Sequence, residues 1–484
     1  MHASRSPAPT PDSSRLDALP LPRELATRLL ELARAGGAEF AEVYAEWTLH
    51  TSFALDERRL KRSSVSVQQG VGVRAIRGAQ TAYAYADGFA PADLEAAARA
   101  AASIAQGGAP GEAAAFRVSN PPAPFTLRHP APLGLDERAK VSLLRRADDA
   151  ARDFDPRVRE VEVGLADSTK RFVVANSDGL WAEEKQYLTR LSVSTLALES
   201  GQRQQGFAAG GGCVEAEYFE RVRTPETVAK EAAESAVTLL SAREPDAGAY
   251  PVVVAPGWGG VMVHECFGHS MEGDGIRRRT SIRADQRGQL VASRGVTIVD
   301  SGIVPYSRGS FRIDDEGTPA QRTVLVEDGI LIGYLFDLLN ARLMKSPPTG
   351  NGRRASYRDV PLCRMTNTYI EGGNATADEL IGSVRRGLYC KNLGGGSVNP
   401  ADGNFSFQVT EARAIENGRL THAVRNATLT GNGNDAMLKI DGVANDLSVD
   451  GTTGSCGKNG QWKPCGVGQP TVKFSAITVG GTAT

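Results

Sequence analysis

Two histidines five positions apart, with a glutamate beside the first, constrain this chain more than any other stretch: Val261-Met262-Val263-His264-Glu265-Cys266-Phe267-Gly268-His269-Ser270-Met271-Glu272-Gly273-Asp274. Only six histidines occur in 484 residues, so the pair concentrates a scarce ligand type. A strand-like Pro251-Val252-Val253-Val254-Ala255 and a Pro256-Gly257-Trp258-Gly259-Gly260 turn precede it, which reads as strand, Gly-rich turn, then helix. Imidazoles at i and i+4 share one helical face and can hold one cation, with a neighbouring carboxylate placed to take a proton from water. Here the spacing is i and i+5. At ~100° per residue an unbroken α-helix would turn the second ring roughly 140° away from the first. Both rings reach one ion only if the helix is interrupted by a wide turn or π-bulge, and Gly268 is the residue type that lets a backbone deviate. The spacing therefore predicts a bent helix carrying His264, Glu265 and His269, with metal-assisted hydrolysis as its chemistry.

A catalytic zinc usually takes three protein ligands and keeps one position open. Cys456 lies in Gly451–Gln461, a Gly-rich stretch expected to form a loop able to bring a thiolate to a metal. On chemistry alone Cys456, Cys465, Asp274 and Glu272 all stay open as the third ligand. The C-x8-C spacing of the two cysteines is not that of a structural zinc knuckle. Cys213, Cys363 and Cys390 read as small buried apolar residues. His422 and Tyr306 are available as oxyanion donors, although each is more simply structural.

The remaining sequence implies an α+β protein. Met1 to Pro20 is rich in Ser and Pro without an apolar core, and is expected to be a disordered tail, not a signal peptide. Residues 21–243 read as an N-terminal α+β domain of two helix–meander–helix units, with a linker at about 107–135. Leu25, Leu29 and Leu32 mark the buried stripe of the first helix. Ala41, Val43, Ala45 and Trp47 then alternate with Glu42, Tyr44 and Glu46 as a half-buried strand. Gly70 is expected to end one strand before Val71–Arg77. In the second unit, Asp136–Phe154 and the helix opened by Thr224-Pro225 flank further strands, with Ser177-Asp178-Gly179 as a hairpin turn. Residues 250–484 carry short β-branched segments punctuated by Gly and Pro, including Phe405–Ile415 and Ala436–Asp441, and read as a β-rich, barrel-like domain holding the metal site. Leu393-Gly394-Gly395-Gly396-Ser397 lacks the strand–loop–helix and lysine of a phosphate loop. A net charge of −1 gives no electrostatic reason to expect nucleic acid or an anionic membrane. No apolar run is long enough to span a bilayer. Six scattered cysteines fit a reducing compartment, so a cytoplasmic location is expected.

His264-Glu265-Cys266-Phe267-Gly268-His269-Ser270-Met271-Glu272-Gly273-Asp274 resembles the signature of the TldD side of the TldD/PmbA metallopeptidase family. Gly70-Val71-Gly72-Val73-Arg74 resembles the family's N-terminal segment. Arg364-Met365-Thr366-Asn367-Thr368, Cys456-Gly457-Lys458-Asn459-Gly460-Gln461 and Gly466-Val467-Gly468-Gln469-Pro470-Thr471 resemble its C-terminal blocks. The resemblance implies a Zn2+ peptidase with His264, His269 and Cys456 as ligands and Glu265 as general base. It also implies extended peptide substrates, precursor or leader peptides among them, cut within a dimeric chamber formed with a PmbA/TldE-type partner or a second copy.

Overall fold

A computed structural model describes residues 19–104, 117–119, 135–399 and 401–481. The expected tail lies outside these residues except for Leu19 and Pro20. The expected linker lies outside them except for Arg117–Ser119 and Leu135.

The first strands are β1 (Phe40–Asp56), β2 (Arg59–Arg77), β3 (Gln80–Asp87), β4 (Arg117–Ser119), β5 (Val158–Asn176), β6 (Leu180–Glu199) and β7 (Gln202–Gly212). They form one sheet in the order β3-β2-β1-β5-β6, with β4 and β7 both paired to β6. The β1–β5 ladder, from Glu42↔Asn176 to Asp56↔Glu162, fuses the two helix–meander units read from the sequence into a single layer. Helices Arg23–Arg34 and Pro91–Ile104 cover one part of it, and Glu137–Phe154 and Pro225–Leu240 cover another. The Asp136 carboxylate accepts the Ala139 amide at 2.8 Å and the Thr224 hydroxyl accepts that of Thr227 at 3.2 Å, so both later helices begin on capped amides. The buried row of the first helix is Ala26, Leu29, Leu30 and Ala33, which rotates Leu25 and Leu32 to its flanks.

Two strand expectations are corrected. Glu42, Tyr44 and Glu46 do not face solvent but are 0%, 0% and 2% exposed. Their face of the sheet packs on the C-terminal region, where Arg74 Nη2 lies 2.8 Å from Glu42 and 2.6 Å from Glu316. Arg354 also bonds Glu42 and lies 4.2 Å over the Tyr44 ring. Buried charge is tolerated here because each group has an opposite partner. Alternation cannot tell a solvated polar face from one paired across an interface. Likewise Gly70 breaks no strand. A Cβ there would stand 2.3 Å from the Tyr357 ring, so glycine is needed for close approach in the middle of β2.

The C-terminal region contains a closed five-stranded barrel. Gly248–Val254 pairs with Arg386–Val398 and Val472–Gly480, and the circuit closes through Ala427–Asn432 and Asn404–Glu416. Val252, Val254, Phe407, Leu429 and Phe474 fill its core. The glycines of Leu393–Ser397 lie inside the strand Arg386–Val398. Ala436–Asp441 is not one strand: Gly433–Leu438 is helical and Ile440–Val443 is extended. A second sheet carries Ile298–Ser301, Asn367–Ile370 and Gly466–Gln469 as neighbours in that order. No described helix is long and apolar enough to cross a membrane.

Candidate metal centre

The barrel strand Gly248–Val254 leads through the 3₁₀ turn Gly257–Gly260 into a short helix, Val261–Cys266. Val261, Met262, Val263 and Cys266 anchor that helix in the core and fix the direction of His264 and Glu265. The helix breaks at Phe267 (φ −126°, ψ −51°) and resumes as a 3₁₀ turn, Gly268–Met271. The expected bend is present, but it is a break followed by tightening and not the wide turn the spacing suggested. Gly268 serves packing: a Cβ there would lie 2.0 Å from Met365 Sδ.

The break brings the His264 and His269 rings to a centroid distance of 5.2 Å at 83°. Cys456 is carried by Ser455–Lys458 of a two-stranded hairpin completed by Gln461–Pro464; the stretch expected to be a loop is a strand at this point. Its Sγ is 3.2 Å from His269 Nε2, and one donor atom from each of His264, His269 and Cys456 lies within 4.8 Å of the others. Burial pushes the Cys456 thiol up, yet His264 and His269 beside it outweigh this and bring it down to about 4. The thiolate is the metal-binding form of cysteine. Buried His264 Nδ1 has no hydrogen-bond partner among the described residues. These donors suit a cation.

Of the alternatives the sequence left open, Glu272 is a partner of a donor. Its Oε2 lies 3.3 Å from His269 Nδ1, the nitrogen turned away from Cys456. Burial raises the Glu272 carboxyl, but the Lys458 ammonium and His269 overcome this and hold it at about 2. A carboxylate on the second nitrogen fixes the tautomer and orientation of a ligating imidazole. Asp274 bonds Lys458 at 2.7 Å. Cys465 is 2% exposed, and burial followed by the neighbouring Cys456 keeps its thiol high, which favours the protonated form. His422 pairs with Glu416 at 3.8 Å on the barrel, and Tyr306 is half exposed, its carbonyl accepting the Cys213 amide at 2.8 Å. Glu265, the expected base, has Oε2 at 3.9 Å from His269 Nε2 and a side chain 21% exposed.

Sequence reasoning missed Lys458 and Arg364. Lys458 Nζ bonds Glu272 at 2.9 Å, Asp274 at 2.7 Å and the Cys363 carbonyl at 3.1 Å, so it ties the hairpin of Cys456 to the segment of His269. Arg364 donates to the Cys456 and Gln461 carbonyls and braces the same hairpin. The available signal for Lys458 was period two: on a strand it shares a face with Cys456. Lys458→Met is expected to weaken metal affinity by about 10- to 100-fold in chelator competition, the scale for a lost partner of a ligand. Lys458→Arg should recover part of that loss.

Three models of the PmbA/TldA metallopeptidase match in order: domain 1 over residues 41–105, the central domain over 130–240 and the C-terminal domain over 247–481. The chain therefore belongs to the TldD/PmbA family of metallopeptidases. It is 40% identical over 450 residues to the metalloprotease TldD homolog of Haemophilus influenzae, covering 92% of this chain and 93% of that protein. A zinc metalloprotease TldD homolog of Saccharolobus solfataricus is 31% identical over 185 residues, 38% of this chain and 41% of that protein. In fold, the chain is similar to the crystal structure of TldE from Thermococcus kodakarensis, with a TM-score of 0.76 at 19% identity over 94% of this chain and 100% of that one.

Proposed function

We propose that the chain is a zinc-dependent peptidase of the HExxxH type that cleaves unfolded or short polypeptides inside a chamber completed by a second subunit. The observation that carries this reading is the convergence of His264, His269 and Cys456 donors within 4.8 Å, beside the partly exposed Glu265. Two imidazoles and a thiolate suit zinc, a borderline-soft cation. The Saccharolobus solfataricus relative is named a zinc metalloprotease. Bound there, zinc supplies Lewis-acid polarisation of the scissile carbonyl and a lowered pKa for water. Glu265 takes the proton of the attacking water and passes it to the leaving amine. Glu272 holds the His269 ring still, and Lys458 holds Glu272.

The substrate is an extended chain. The Cys456 hairpin pairs with no other strand among the described residues, and Ser455 and Gly457 on its first strand are exposed beside the site. Main-chain hydrogen bonds to such a strand hold a peptide without reading its sequence. Precursor and leader peptides are substrates of this kind. A second subunit is supported by the outer half of β2, where Leu60, Val65 and Val67 are 45–48% exposed. Either a TldE-type chain or another copy covers that surface. All six cysteines are free and buried, in keeping with a reducing, cytoplasmic setting.

The test is cleavage of an unfolded protein by the purified chain, alone and mixed with a TldE-type partner. Chelation is expected to abolish cleavage and zinc to restore it. Activity that survives complete removal of metal would overturn the reading. A chain that stays metal-free under zinc-replete conditions would instead be a scaffold subunit.

A further inference from the structure

Next to the ligand hairpin, the N-terminal sheet and the C-terminal region enclose a cleft of about 490 Å³ whose wall includes Ser455 and Lys463. Lys170, Arg190, Arg308, Arg353 and Lys463 line it, against the carboxylates of Glu46 and Asp167. Most of this charge is answered locally. Asp315 receives Lys170 at 3.1 Å and Lys463 at 3.0 Å, while Asp167 receives Lys140 at 2.7 Å. Arg353 donates to the Met365 and Pro464 carbonyls at 2.7 and 2.6 Å.

Arg190 and Arg308 are different. Neither forms an ion pair with a carboxylate among the described residues, and the Nε of each is buried without an acceptor. Arg308 donates to the Thr452 carbonyl at 3.0 Å. Asp450, the acid that acts on both, is already bonded to Thr452 and Thr453. Burial, and then the like charge of Arg190, hold the Arg308 guanidinium below its ordinary value. Thr189, 3% exposed, adds to the same wall a hydroxyl without a partner among the described residues. Both guanidinium groups are half-buried, and Arg190 also lies 5.7 Å over the Phe207 ring. Two neighbouring cations with buried, unanswered Nε donors, and a free hydroxyl beside them, favour the entry of an anion into the space they line.

We propose that Arg190, Arg308 and Thr189 form a carboxylate-binding subsite for the peptide substrate. The proposal rests on the peptidase reading and adds a specificity to it. Guanidinium groups bind carboxylates through parallel N–H donors, an arrangement an ammonium cannot reproduce. Thr452, which Arg308 holds, is four residues from Cys456, so the two are at most roughly 14 Å apart along extended chain. A carboxylate in the cleft therefore belongs to a residue only a few positions from the bond being cut. It is either the chain terminus or an Asp or Glu side chain at that distance.

The experiment compares four hexapeptides of one sequence: free C-terminal acid or amide, each with Asp or Asn near the C-terminus. Cleavage by the zinc-loaded protein gives kcat and KM, and equilibrium binding to Glu265→Gln gives affinity without turnover. At least one carboxylate is expected to tighten binding and lower KM by about tenfold or more, the scale of a charged hydrogen bond. An acid-over-amide preference assigns the subsite to the terminus, and an Asp-over-Asn preference assigns it to a side chain. Arg190→Gln and Arg308→Gln should each bring that ratio toward one, and Arg190→Lys should keep only part of it; melting and zinc content verify the fold. Equal binding of all four peptides by the wild-type site overturns the subsite whatever the variants do, as does a preference that both Gln variants retain. If no peptide is cut at all, the peptidase reading fails separately, and the binding comparison still decides the subsite.

Discussion

Glu265→Ala is expected to keep its zinc and lose about 10²- to 10⁴-fold in kcat toward an unfolded peptide, the range for removal of a general base. Metal content and kcat measured on the same preparation separate the two effects. The carboxylate lies beside the donor set, 3.9 Å from His269 Nε2, and is no member of it, so its removal leaves His264, His269 and Cys456 in place. His264→Ala removes a donor and should lose metal and cleavage together. Full activity in Glu265→Ala would assign proton transfer to another group.

The second large effect is on stability. Arg354→Met is expected to destabilise the fold by about 3–5 kcal/mol, read as a lower melting temperature and denaturation midpoint, because it leaves buried anions short of a cation. Arg354 is fully buried, bonds Glu42, donates to the Asp315 carbonyl at 2.9 Å and stacks on Tyr44. Asp315 also receives Lys463, which pairs across the hairpin from Cys456. Loss of Arg354 should therefore weaken metal binding as well as folding. A change below about 1 kcal/mol, the usual scale of an exposed ion pair, would mean that water reaches this network.

Much of this arrangement was legible in the sequence because local rules and the native fold agree there. The i, i+5 histidines require an interruption, and the helix breaks at Phe267. Thr224-Pro225 and Asp136 are helix starts by residue chemistry alone. Short β-branched segments between Gly and Pro implied a sheet that closes, and a five-stranded barrel is present. What stayed hidden is long-range. Glu42, Tyr44 and Glu46 alternate like a solvated face, yet Arg354, which bonds Glu42, and Asp315, which Tyr44 bonds, lie about 270–310 positions downstream, where no local pattern reaches. Gly70 looks like a strand end until the Tyr357 ring is placed against it. At the site, the residue chemistry offered four third-ligand candidates. The family resemblance singled out Cys456 among them, and the fold turns its sulfur toward His269, while the unanticipated Lys458 binds Glu272 and Asp274.

X-ray absorption at the zinc edge, with metal stoichiometry on the same purified chain, bears most directly on whether two imidazoles and one thiolate share a single ion. The expected result is one zinc per chain, with one sulfur at ~2.3 Å and two nitrogens at ~2.0–2.1 Å. Cys456→Ala should remove the sulfur from that shell. A shell of nitrogen and oxygen alone, unchanged by Cys456→Ala, would contradict the assignment.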